Sequence, residues 1–268
     1  MEEMNIYVLG LMAGLFTWGM TAMGAALVFF MKEFKQIYLD SMLGFAAGVM
    51  IAASFFSLII PALEYGELLE FSFNPIYIVV LGFMAGVIFL MILDKVIPHL
   101  HLFEKIENAE GPKTDLKRSV LLVSAITLHN IPEGLAIGVT FGAYNVTGDP
   151  TLLAAAIALT IGIGIQNFPE GSAVSFPLLR EGFSRKKSFL YGQASAIVEP
   201  IGILVGIYLV EAVSTLLPFL LAFAAGAMMF VVVEELIPES QKNNNTDVVT
   251  FFTMFGLCAM MFLDVALG

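Results

Sequence analysis

SVLLVSAITLHNIPEGLAIGVTFGA, residues 119–143, runs for 25 residues without Lys or Arg and holds His129, Asn130, Pro132 and Glu133 at its centre. That length suits a helix crossing a hydrocarbon layer about 30 Å thick. Polar and ionisable side chains in the middle of such a helix are expensive and mark function more often than packing. A second stretch of the same kind, TLLAAAIALTIGIGIQNFPEGSAVSFPL at 151–178, follows at once. Laid side by side, the two centres read H-N-I-P-E-G at 129–134 and Q-N-F-P-E-G at 166–171.

Working outward from this pair, further apolar stretches lie at 6–31, 39–63, 76–97, 188–212, 217–237 and 248–267. The predicted fold is all-α: a polytopic membrane protein of eight transmembrane helices, forming a single domain over 1–268. With 59% hydrophobic and 13% charged residues, against about 25% charged in soluble domains, a water-soluble globule is excluded. The first stretch follows Glu2 and Glu3 rather than a basic segment and exceeds a signal peptide's apolar core, so it is expected to stay as a helix. Only one link is long, the polar loop at about 98–118. All 12 Lys and Arg fall at links 1, 3, 5 and 7; the positive-inside bias then makes that loop cytoplasmic and both termini extracytoplasmic. The net charge of −11 argues against nucleic acid and towards cations as partners. The single cysteine, Cys258, cannot form an internal disulfide.

Phe45-Ala46-Ala47-Gly48, followed by Pro61 and Glu64, is echoed by Phe223-Ala224-Ala225-Gly226, followed by Pro238 and Glu239. The segments lie five helices apart, an odd offset that gives them opposite directions across the membrane. This is the signature of inverted repeats, helices 1–3 against 6–8, with helices 4 and 5 between them in a 3+2+3 arrangement and binding expected at the repeat interface.

His129 and Glu133 are spaced i, i+4, as are Gln166 and Glu170, so each pair projects from one helix face. Pro132 and Pro169 donate no backbone hydrogen bond, which frees the carbonyls of Leu128 and Ile165 and predicts kinks there. Gly134 and Gly171 are expected to let these two helices approach each other. Glu133, Glu170 and Glu199, the last before Pro200 in helix 6, need compensation inside a bilayer, and a divalent cation supplies it. Imidazole, carboxylate and amide oxygen suit a borderline first-row ion such as Zn(II) or Fe(II); Ca(II) and Mg(II) favour all-oxygen sites and Cu(I) favours sulfur.

With these motifs the sequence resembles the ZIP (Zrt/Irt-like) divalent-metal transporters, most of all their prokaryotic GufA-like branch. The resemblance covers essentially the whole chain. It implies transport of zinc, and often iron, manganese or cadmium, into the cytoplasm across the plasma membrane through a binuclear site on helices 4, 5 and 6. By motif position one site would use His129, Glu133, Gln166, Glu170 and Glu199, and its neighbour Asn130, Asn167, Glu133 and Glu170. Many members have His where this chain has Gln166, and some have Asp where it has Asn167. These departures weaken the second site and the preference for zinc. The resemblance also implies an exit path through Asp94, His99, His101, Glu235 and Glu239 and a homodimer, and no organic cofactor is expected. Met50, Ser54 and Ser57 of helix 2 read either as lining an inlet path or as adaptable packing and interhelical hydrogen-bonding side chains.

The exit residues read equally well as interfacial side chains reaching water, and Asp264 near the end of helix 8 reads as reaching outward. Two other functions fit the residues less well. An intramembrane metallohydrolase would activate water at the metal, but the chain has no H-E-x-x-H and a single intramembrane histidine. A monovalent-cation or proton exchanger would use the buried carboxylates and leaves the repeated His/Gln and Asn unexplained. No phosphate-binding G-x-x-x-x-G-K-[ST] segment is present.

Overall fold

A computed structural model describes residues 5–31, 35–69, 74–100, 106–114 and 117–267; His101 lies outside them. Eight helices are long and apolar enough to cross a membrane: α1 (Ile6–Phe30), α2 (Gln36–Leu68), α3 (Ile76–Val96), α4 (Ser119–Thr147), α5 (Pro150–Arg180), α6 (Arg185–Ala212), α7 (Ser214–Ser240) and α8 (Thr246–Leu267). Among the described residues no strand forms; His99 and Glu110 make one isolated antiparallel bridge.

Several helices outrun their apolar stretches because hydropathy ends where polarity begins, whereas a helix ends where its backbone is capped. The α4 helix continues to Thr147 and stops at Gly148, whose φ of 69° is open to glycine. Asp149 then caps α5, accepting from Thr151 N at 2.9 Å, and Pro150 occupies the first turn. These hydrogen bonds, led by the Thr151 hydroxyl, hold the Asp149 carboxyl below the usual carboxylate range. The same carboxylate accepts from Tyr65 Oη of α2 at 2.9 Å.

The most extensive pairings are α4 with α6, α1 with α5, α2 with α8 and α3 with α7. Two groups result, α1/α4/α5/α6 and α2/α3/α7/α8. Within each, backbones approach so closely that a Cβ would not fit. A Cβ on Gly24 of α1 would lie 1.8 Å from Phe168 O of α5, and one on Gly138 of α4 2.2 Å from Ile203 O of α6. Between the groups Gly162 of α5 makes such an approach, to the flexible Met260 side chain of α8, with Val49 Cγ1 of α2 at 3.5 Å. At the described glycines each group is thus interlocked backbone to backbone internally, while the approach between groups is to side chains.

The two Phe-Ala-Ala-Gly segments have matching surroundings. A Cβ on Gly48 would meet Thr253 O of α8 at 1.9 Å, while Phe45 O faces Gly256 of α8 at 2.1 Å from that glycine's Cβ position. In the other half Gly226 would meet Phe83 O of α3 at 2.0 Å, and Phe223 O faces Gly86 of α3 at 2.0 Å. Beyond each segment the helix widens into a π turn, Ser54–Ile59 in α2 and Val232–Leu236 in α7, shortly before Pro61 and Pro238. Each proline lacks the N–H that would close the preceding α-helical turn.

Candidate metal centre

The α4 and α5 helices run unbroken through Pro132 and Pro169. Mid-way along them His129, Asn130, Glu133, Gln166, Asn167 and Glu170 are all buried, and Glu199 joins them from α6 with no exposed surface. The two glycines that follow the motifs act differently from the sequence expectation. They do not bring α4 and α5 to each other. A Cβ on Gly134 would lie 2.6 Å from Glu199 O, so this glycine admits α6; one on Gly171 would lie 2.0 Å from Thr21 O, so this glycine admits α1. A small residue reveals that a backbone comes close, not which one.

Hydrogen bonds fix part of the cluster. Gln166 Nε2 donates to Glu133 Oε1 at 2.7 Å, and Asn167 Nδ2 donates to both oxygens of Glu199, each at 2.8 Å. The Asn167 amide also lies 3.4 Å from Thr17 O of α1, a contact no sequence motif announced. His129 Nε2 is 2.5 Å from Glu235 Oε2, carried by the π turn of α7. Glu235, expected on an exit path, thus stands beside the central histidine. Glu133 lies within electrostatic reach of Glu170 and Glu199, and Glu170 of Glu199 and Glu235.

What remains unsatisfied is more informative. Glu133 Oε2, both oxygens of Glu170, Gln166 Oε1, Asn167 Oδ1, His129 Nδ1 and the whole Asn130 amide are buried without a hydrogen-bond partner. Native interiors leave few such groups, and each costs on the order of 1–3 kcal/mol, more when charged. Their concentration in one place is rich in oxygen with one imidazole, ligand types that divalent first-row cations accept.

Comparison with known proteins agrees with the residues. The family model described as ZIP Zinc transporter matches residues 105–264. Zinc transporter ZIP11 of Homo sapiens is 38% identical over 96% of this chain and 97% of its own length. Zinc transporter ZIPB of Bordetella bronchiseptica is 40% identical, covering 92% of this chain and 78% of its own length. The chain belongs to the ZIP family. Zinc transporter GufA of Myxococcus xanthus, 34% identical over 97% of this chain and 99% of its own length, accords with the branch that the motifs suggested. Family membership and the eight apolar helices make the chain a multi-pass membrane protein of metal-ion transport.

Within this ZIP chain the peripheral residues divide. His99 is fully buried, with Nε2 3.0 Å from Asp94 Oδ1 and Nδ1 2.9 Å from Ile97 O. Glu110, which the sequence reading passed over, joins them: one ligand atom from each of Asp94, His99 and Glu110 lies within 4.8 Å of the others. Glu239 is buried in the helical turn after the α7 π segment. On the other path Met50, Ser54 and Ser57 are all fully buried. Ser57 donates to Asp264 Oδ1 of α8 at 2.6 Å, so Asp264 turns inward to α2 rather than reaching outward. Ser54 and Ser57 both belong to the π turn of α2.

Proposed function

We propose that this chain carries divalent transition-metal cations, zinc foremost and iron, manganese or cadmium besides, across the plasma membrane into the cytoplasm by alternating access. The transported ion sits among His129, Asn130, Glu133, Gln166, Asn167, Glu170 and Glu199. One observation carries this reading: the orphaned donors gathered in the middle of α4 and α5, where a doubly charged ion compensates carboxylates that the bilayer otherwise penalises. The relatives described above, all zinc transporters, support zinc as cargo and a carrier over a metallohydrolase or an exchanger.

The whole chain forms one transport domain whose two interlocked groups move against each other. The α1/α4/α5/α6 group holds most of the site, and the described glycine grooves, which take up backbone within each group and none between the groups, support sliding of one group against the other. Exchanging α1 with α6, α2 with α7, α3 with α8 and α4 with α5 turns the strongest helix pairings into one another, α4–α6 into α1–α5 and α2–α8 into α3–α7. That pattern and the matched Phe-Ala-Ala-Gly contacts support an inverted 3+2+3 repeat. The placement of basic residues supports both termini outside the cytoplasm.

Purified protein in liposomes loaded with a zinc-sensitive dye tests the function. Zinc uptake competed by Cd(II) but not by equal Ca(II) or Mg(II) is expected, since those two favour all-oxygen coordination. Absence of zinc flux under an inward gradient rejects the proposal. Ser57 with Asp264 forms the inlet side and Asp94, His99 and Glu110 the exit side. The His99→Ala substitution is then expected to slow uptake by roughly 10-fold, the lower end for loss of a metal-supporting group, while zinc binding at the central site is retained. Unchanged uptake in that variant removes His99 from the path.

A further inference from the structure

We infer that Asn167 restricts the centre to a single divalent cation by holding Glu199 out of the ligand set. This rests on the reading of the centre as the transported ion's site and narrows the pair of sites that family resemblance implied to one. Asn167 Nδ2 donates to both Glu199 oxygens at 2.8 Å, covering the face by which a carboxylate chelates a metal. The amide cannot simply turn over. Its nitrogen side meets three oxygens, the two of Glu199 and Thr17 O at 3.4 Å, and reversal would set Oδ1 against all of them. Neither Asn167 nor Glu199 has exposed surface, so water cannot replace the lost bonds. A cation arriving between these two residues would meet amide hydrogens, the wrong end of the dipole.

The remaining unpartnered acceptors belong to other residues. The bond from Gln166 Nε2 to Glu133 Oε1 leaves one free oxygen on each of those side chains. Together with Glu170 and His129 Nδ1, both lacking hydrogen-bond partners, they supply four residues, the usual complement of a tetrahedral zinc ion. Asn130 Oδ1 is a fifth donor for ions of higher coordination. Glu199 then stays paired with Asn167, outside the ligand set.

The test is metal counting on the full chain in lipid nanodiscs equilibrated with Zn(II) and desalted, read by plasma mass spectrometry. Because Asp94, His99 and Glu110 can also take metal, the number is the difference between the parent and a His129→Ala/Glu170→Ala double variant. One ion is expected for the parent and two for Asn167→Asp on the same scale. X-ray absorption of Asn167→Asp, and not of the parent, should show a zinc–zinc distance of about 3.5–4 Å, the spacing of two-metal sites. Glu199→Gln, which leaves the four ligands in place, should still bind one ion. A difference of two, or a zinc–zinc distance, in the parent overturns the inference while leaving the transport site intact. A count of one in Asn167→Asp, or none in Glu199→Gln, overturns it as well. Equal metal in the parent and the double variant instead rejects the site itself.

Discussion

Zinc uptake into liposomes is expected to fall by about 100-fold or more when Glu170 is replaced by alanine, and likewise for His129, beyond the 10–100-fold typical of groups that only support metal ligands. Glu170 offers both of its oxygens, buried and without hydrogen-bond partners, so on the proposed reading its loss removes a direct ligand of the ion. Metal-free stability should move the other way. The Glu170 carboxylate is buried next to Glu199 and Glu235, and taking it away relieves both repulsion and desolvation. Thermal unfolding of the metal-free Glu170→Ala protein in detergent should therefore occur at the same temperature as the parent or higher, whereas added zinc should raise that temperature only in the parent. A residue kept for packing would give the reverse: preserved uptake and a lower melting temperature. Uptake within twofold of the parent would remove Glu170 from the site.

The second large effect comes from a single methyl group. A Cβ on Gly24 would stand 1.8 Å from Phe168 O, so Gly24→Ala must force α1 away from α5 beside Asn167, the neighbour of Phe168. Overpacking of this kind costs about 1–3 kcal/mol and sometimes more. Here the displaced element also carries Thr17, which touches the Asn167 amide. A melting temperature lowered by several degrees and severely reduced uptake are expected. Gly19 is the control on the same helix, because a Cβ there meets nothing within 4 Å. Gly19→Ala should leave uptake intact and melting unchanged or slightly raised, as alanine is the better helix former by about 1 kcal/mol. Equal effects at the two positions would mean that close α1–α5 packing is not what Gly24 provides.

The eight spans and the two motifs could be read from the chain because both are local properties: twenty apolar residues announce a crossing helix, and i, i+4 spacing announces a shared face. Contacts between distant helices were not legible in the same way. The contact of Glu235 with His129 is one of these: Glu235 lies in the π turn at Val232–Leu236, and hydropathy carries no sign of such a turn beyond the nearby Pro238. Gly134 and Gly171 were rightly seen as sites of close approach, but the partners proved to be α6 and α1. Asp264 looked like an interfacial acid until Ser57, 207 positions away, was found against it. Glu110 sits in a loop with no periodicity, and only its bridge to His99 brings it near Asp94.

The order of helix pairing constrains how the chain is made. The α2 helix locks onto α8 and α3 onto α7, so the second and third segments to leave the ribosome have partners that are translated last. Until then Gly48 and Gly86 present bare backbone grooves to lipid, with the matching carbonyls not yet synthesised. A nascent chain stopped after α6 can assemble α1, α4, α5 and α6 but leaves α2 and α3 without their mates. Such fragments are natural clients for membrane chaperones and quality-control proteases.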